Sequence, residues 1–136
     1  MRVKLCLVAE GVVRDAETNS VSVYNILEGI AANGFPILVQ RMAFLALFER
    51  DESEPEAHTG QFTVSLGDNQ LLTGEQHIHF RGKLRTRSIV RIQGILFPSP
   101  GEATFALAVA ADVRASFVVR VRATAAASPR LESADA

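Results

Sequence analysis

Apolar and polar residues alternate along much of this chain, and alternation with a period of two predicts β-strands. The clearest case is the segment 89–111, in which Val90, Ile92 and Leu96 share one parity. Residues 98–101, Pro-Ser-Pro-Gly, carry the proline and glycine that favour a tight turn. Apolar parity then resumes at Ala103, Phe105, Leu107 and Val109. This pattern predicts a β-hairpin.

Similar alternation predicts further strands, and no segment is convincingly helical. They lie at 3–9, 21–28, 41–49, 61–66, 70–73, 76–81 and 114–122, with a bulge at 26–27 and a loop at 29–36. Eight or nine strands predict an all-β fold, a two-layer antiparallel β-sandwich of the immunoglobulin-like or jelly-roll-like kind. The predicted core comprises Leu5, Leu7, Val23, Phe44, Phe48, Phe62, Val64, Phe80, Ile92, Phe105, Leu107, Phe117 and Val119.

Three predicted strands are apolar on both parities, which a sandwich open to water on its outer faces does not require. If these strands share one sheet, its outer face is flat, apolar and built from small residues. Such a face predicts an interface, and a two-fold dimer is the commonest closed arrangement. An open alternative is that the C-terminal tail or the 29–36 loop covers this face within one chain. The predicted interface comprises Ala43, Leu45, Leu47, Ala106, Ala108 and Ala110.

Length and composition indicate one ordinary domain. The chain has 136 residues, and we predict a β-sandwich domain over 1–122 followed by a disordered tail over 123–136. A formal net charge of −1 argues against a general nucleic-acid or anionic-membrane binder. The single cysteine, Cys6, permits no internal disulfide, and no signal or membrane-spanning segment is evident. We therefore expect a cytoplasmic protein.

At this point the chain resembles a protein family. The resemblance rests on NILEGI, GFPI, MAFLALFE and IQGILFPSPGEATFAL, and it spans roughly 5–121. These motifs look like the layout of small, uncharacterised bacterial β-sandwich proteins. The resemblance implies an architecture, and it implies no activity and no catalytic residue.

Two clusters are candidates for ligand chemistry. His77 and His79 lie two apart on a predicted strand, so both imidazoles would point the same way and could meet one metal ion. A further ligand is not fixed by the sequence, and we expect no bound metal or other cofactor. If the chain is extended from 81 to 91, a basic stripe forms on one face and either binds an anion or is a solvated edge. The stripe comprises Arg81, Lys83, Arg85, Arg87 and Arg91.

No nucleophile motif and no phosphate-binding glycine loop occurs in the sequence. We therefore predict a non-enzymatic binding or scaffold protein that acts through self-association, as a homodimer, or through contact with another protein. The alternatives are a metal- or small-ligand-binding protein centred on His77 and His79, and an anion-binding module that uses the basic stripe.

Overall fold

A computed structural model describes residues 1–110 and 112–124, and within them the protein is all-β. Nine strands form two sheets, so the predicted all-β sandwich with eight or nine strands is confirmed. The strands are β1 (Arg2–Arg14), β2 (Val21–Ile26), β3 (Gly29–Ala32), β4 (Ile37–Glu49), β5 (Ala57–Leu66), β6 (Asn69–His79), β7 (Arg85–Phe97), β8 (Gly101–Ala110) and β9 (Val113–Ala123).

One sheet has the strand order β2-β1-β4-β7, and the other has the order β3-β9-β8-β5-β6. Neighbouring strands are antiparallel except β3 and β9, which pair in parallel. The sequence analysis was wrong to treat 29–36 as loop throughout, because its first four residues form β3. Those residues, Gly-Ile-Ala-Ala, alternate too little between apolar and polar side chains to predict a strand. Their backbone hydrogen bonds to β9 hold them in the strand conformation.

The main core lies between the sheets. Phe44 of β4 contacts Phe62 of β5 across it, with ring centroids 5.1 Å apart. Most of the predicted core residues are buried here. Leu5 is an exception, because its side chain is 46% exposed on the outer face. Leu7 is buried, but in a second cluster on the outer side of β4.

The alternation reverses inside β7. Ile92 faces the core, and after Gly94 the core residues are Ile95 and Phe97. Leu96 is 52% exposed, so its predicted place on the same face as Ile92 was wrong. Gly94 has φ 86, a left-handed conformation that lets the strand shift its pleat by one residue.

Both faces of β4 are covered, as the two-sided apolar pattern predicted. Ala43 and Leu45 on the outer side are 1% and 3% exposed. They pack with three valines of the β1–β2 hairpin, which are Val12, Val21 and Val23. The end of this hairpin, residues 12–23, therefore folds back over the outer face of β4. We call residues 12–23 the folded hairpin.

Two arginines of β7 hold the folded hairpin in place. Arg91 Nη2 donates to the carbonyl of Val12 at 3.0 Å, and Arg87 Nη2 donates to the carbonyl of Asn19 at 2.5 Å. Because β4 lies between β1 and β7 in the sheet, these bonds require the hairpin to cross β4.

The structure corrects the predicted interface in two respects. Ala43 and Leu45 are covered by the folded hairpin, whereas the sequence analysis offered the tail or the 29–36 loop as the internal cover. Ala106, Ala108 and Ala110 lie on β8 in the other sheet, so the six residues do not form one face.

The predicted tail, 123–136, lies outside the described residues apart from its first two. Ala123 ends β9, and the Thr124 amide donates to the carbonyl of Ala32 at 2.8 Å. The strand ladder thus continues to the last described residue.

The burial of Leu45 yields a stability prediction. Leu45→Glu should lower the free energy of unfolding by about 4 kcal/mol or more, because it places an unpaired charge beneath the folded hairpin. Leu38→Glu is the matched control on the same strand, since Leu38 is 60% exposed, and it should change stability by less than about 1 kcal/mol. Urea denaturation measures both. Equal effects of the two substitutions would contradict the covered face.

Candidate functional site: a basic cleft

A cleft of about 960 Å³ opens where the folded hairpin ends. Its walls are the hairpin tip, the outer side of β1 and β4, and the segment 79–87. Six cationic side chains line it, and no carboxylate does so within the described part of the chain. The protein has 14 Lys and Arg residues and a net charge of −1, so this concentration does not reflect a generally basic surface. The six are Lys4, Arg14, Arg81, Lys83, Arg85 and Arg87.

Two of these cations meet on a neutral group. Arg87 Nη2 donates to Asn19 Oδ1 at 2.7 Å, and Arg14 Nη1 donates to the same oxygen at 3.4 Å. An amide oxygen therefore occupies the position that a carboxylate has in an ordinary ion pair, and no carboxylate in residues 1–110 and 112–124 pairs with either arginine. We call Arg14 and Arg87 the arginine pair.

The hairpin turn holds Asn19 in position. Asp15 Oδ1 accepts hydrogen bonds from the amides of Glu17 and Thr18 at 2.8 and 3.0 Å, and the Asn19 amide donates to the Asp15 carbonyl at 2.9 Å. These bonds hold the pKa of Asp15 below its usual value, chiefly the bond from Thr18. Asn19 has φ 62, a left-handed conformation that asparagine tolerates better than most residues.

A single carboxylate serves several cations at the cleft edge. Hydrogen bonds from Arg85, chiefly, and from Arg2 hold the pKa of Glu49 below its ordinary value. Asp51 Oδ1 also lies 3.6 Å from Arg2, so two carboxylates among three cations leave the group net positive. The contact distances to Glu49 are 2.7 Å for Arg2, 3.8 Å for Lys4 and 3.1 Å for Arg85.

Arg50 positions the turn that carries Arg81 and Lys83. Its guanidinium is buried, with the residue 6% exposed, and lies 5.4 Å from the centre of the Phe80 ring. Arg50 Nε donates to the carbonyl of Lys83 at 2.9 Å. Arg50 Nη1 donates to three carbonyls of the loop that follows it, those of Asp51, Glu52 and Glu54.

The structure changes the geometry of the predicted basic stripe. The segment 81–84 is a turn, so Arg81 and Lys83 do not lie on an extended strand with Arg85, Arg87 and Arg91. Arg81 has φ 54 and its amide donates to His79 Nδ1 at 2.9 Å. Four members of the stripe still converge on the cleft, whereas Arg91 bonds to the hairpin outside the lining.

Sequence reasoning missed Lys4, Arg14 and Asn19. They reach the cleft because β1 bulges between Val3 and Leu5 and because the hairpin folds back. No local pattern marks either event. Asn19 sits in an ordinary polar turn, and only its contact with a residue 68 positions away gives it a role.

The two histidines of the metal alternative lie on β6 and are exposed. His77 Nε2 is 3.4 Å from Glu75 Oε1, and His79 borders the basic cleft. Within residues 1–110 and 112–124, no group of three or more His, Cys, Asp or Glu side chains is placed to hold a metal ion. This site therefore has no geometric support.

Cys6 is partly buried between β1 and β9, where its thiol donates to the carbonyl of Ser116 at 3.2 Å. Burial raises the pKa of the Cys6 thiol, which lowers its thiolate fraction at neutral pH. The geometry therefore favours a packing role for this residue.

Comparisons with known proteins add a family and no more. The model of a family of unknown function, DUF6941, matches residues 4–122, nearly the span of the resemblance noted in the sequence. Searches of curated proteins and of solved structures found no match. No helix within the described residues is long and apolar enough to cross a membrane.

The role of Arg50 can be measured. Arg50→Gln should lower the free energy of unfolding by about 2 kcal/mol, because it leaves several part-buried carbonyls without their charged donor. Arg41→Gln is the control, since Arg41 is exposed on β4, the strand that ends just before Arg50, and it should change stability by about 0.5 kcal/mol or less. If denaturant titration gives Arg50→Gln the stability of wild type, the guanidinium does not organise these loops.

Proposed function

We propose that this chain, which belongs to the DUF6941 family of unknown function, is a binding protein for a ligand that carries several oxyanion charges. The ligand binds in the basic cleft, and the protein acts by binding rather than by catalysis. We assign this function to the cytoplasm, a setting supported by the single cysteine.

The arginine pair is the observation that carries the proposal. Folding brings Arg14 and Arg87 to one neutral oxygen, Asn19 Oδ1, although their mutual repulsion opposes it. An anion between them would supply the missing negative charge. Guanidinium groups bind carboxylate and phosphate oxygens through two parallel hydrogen bonds, which suits this geometry.

The lining favours a compact ligand over a nucleic-acid strand. Its phenylalanines, Phe48 and Phe80, are each 1% exposed and offer no ring face to a base, and His79 is the one exposed ring among the described lining residues. The volume of about 960 Å³ falls within the range of small-ligand sites. The remaining cations, Arg81 and Lys83, make no ion pair within the described residues and are available to further charges.

Titration calorimetry with inorganic pyrophosphate as the probe tests the site. Wild type should bind at low ionic strength and bind more weakly as salt is added. Arg87→Gln should weaken binding at least about tenfold, because it removes charge-assisted hydrogen bonds. Glu49→Gln should strengthen binding, since it frees Arg85 from its carboxylate partner.

Arg114→Gln is the matched control, because Arg114 is exposed on β9 in the other sheet and does not line the cleft. Its affinity should equal that of wild type. Absence of binding at low salt, or equal losses in Arg87→Gln and Arg114→Gln, would reject the site.

A second candidate function is self-association as a homodimer, now through the outer face of the sheet that contains β8. Ala108 and Ala110 are exposed there, and Val118 on β9 is 46% exposed. Gln61 and Arg114 flank Ala108, whereas Thr63, Thr104 and Ser116 farther along this face are small. A flat face of short side chains permits close approach of a second copy, and this supports the proposal.

Light scattering after size-exclusion chromatography tests the dimer. Wild type should elute with the mass of two chains, and Thr104→Glu should elute as one chain, because its cross-strand neighbours Ser65 and Val118 offer the new charge no partner. Leu38→Glu, on the other sheet, should remain a dimer. A single-chain mass for wild type would exclude this candidate.

A further inference from the structure

The arginine pair joins two separate parts of the molecule. Arg14 belongs to the folded hairpin, whereas Arg87 belongs to β7. We infer that an oxyanion bound between them locks the folded hairpin over β4, so that ligand occupancy controls whether this apolar face is covered. This inference rests on the proposed anion-binding function, and it adds that binding changes the position of the hairpin.

Few contacts hold the folded hairpin onto the sheet. Within the described residues, β2 pairs with β1 alone, so no backbone ladder ties the hairpin tip to β4 or β7. The polar contacts are those from Arg87 to Asn19 and from Arg91 to Val12. The apolar contacts come from Val12, which is buried, and from the half-buried Val21 and Val23.

The hairpin also has a defined bending point. Ladder pairing includes Ala9 with Ile26 and Gly11 with Tyr24, but it omits Glu10 and Asn25 between them. Asn25 has φ 54, and its side-chain amide donates to Glu10 Oε1 at 2.8 Å. The ring of Tyr24 occupies the space where a side chain at residue 11 would lie, so a larger residue than Gly11 would have to displace this ring. Beyond this point the side chains of β1 change face. Val12 therefore lies on the same side as Ala9, in the cluster that packs against Ala43 and Leu45 of β4.

Electrostatics oppose closure when the cleft holds no anion. The closed hairpin brings the charge of Arg14 beside that of Arg87, with one neutral oxygen between them. A ligand that contacts both arginines binds only when the hairpin is closed. By linkage, it must then shift the population toward the closed state.

Hydrogen exchange on the full chain, with and without saturating pyrophosphate, tests this coupling. The amides of 12–23 should exchange at least about threefold more slowly with pyrophosphate than without it. The amides of β5 and β6 report any general stabilisation, and they should slow by a smaller factor. Equal slowing in both regions would overturn the inference.

Arg91→Gln provides an independent test, because Arg91 holds the hairpin but does not line the cleft. This substitution should speed amide exchange at 12–23, because the hairpin is open more often. It should also weaken pyrophosphate binding, because part of the binding free energy is then used to close the hairpin. Faster exchange with unchanged affinity would refute the coupling.

The two proposals fail in different ways. If calorimetry shows pyrophosphate binding that depends on Arg87 while exchange at 12–23 stays unchanged, the lock is wrong and the anion site stands. If calorimetry detects no binding to wild type, the site itself is wrong, and the lock is rejected with it.

Discussion

A strand that is apolar on both faces must be covered on both faces, and β4 imposes this requirement on the whole molecule. Phe44 and Phe48 on one side pack against the opposing sheet, whereas Ala43 and Leu45 on the other need a separate cover. The β1–β2 hairpin supplies that cover by bending back across its own sheet. Its tip then stops short of the 79–87 segment, and the space between them is the basic cleft. Packing of an apolar strand thus creates the site.

The cleft is positively charged because its described lining residues include no carboxylate. The chain has 15 acidic residues, slightly more than its basic ones, yet the cleft lining has none among the described residues. Glu49 is shared by several cations, and Asn19 supplies an uncharged oxygen where a carboxylate would close an ion pair. An aspartate at 19 would neutralise the arginine pair and leave less charge for a ligand. The amide therefore preserves the attraction for anions while still positioning both side chains.

Alternation in the sequence was enough to predict the all-β class, most strands and the two-sided burial of β4, because each depends on side chains close together in the chain. It failed where the backbone changes its pleat, as at Gly94, which turned Leu96 outward. The site was predicted only in part. Four members of the basic stripe reach the cleft, but Arg14 reaches it through a long-range fold of the hairpin. That fold depends on tertiary packing against β4, which no local pattern reports.

Arg50 links the loop before β5 to the turn before β7, because its side chain forms hydrogen bonds with both. Its guanidinium bonds carbonyls of residues 51, 52 and 54 on one side and of Lys83 on the other. Because Arg50 binds backbone carbonyls, these bonds do not depend on the side chains of Asp51, Glu52 and Lys83, whereas Glu54 and Glu56 also hold the loops through their carboxylates. An insertion or deletion in one loop, by contrast, moves its carbonyls away from an anchor that the other still occupies. Divergence within the family should therefore change the lengths of these two loops together.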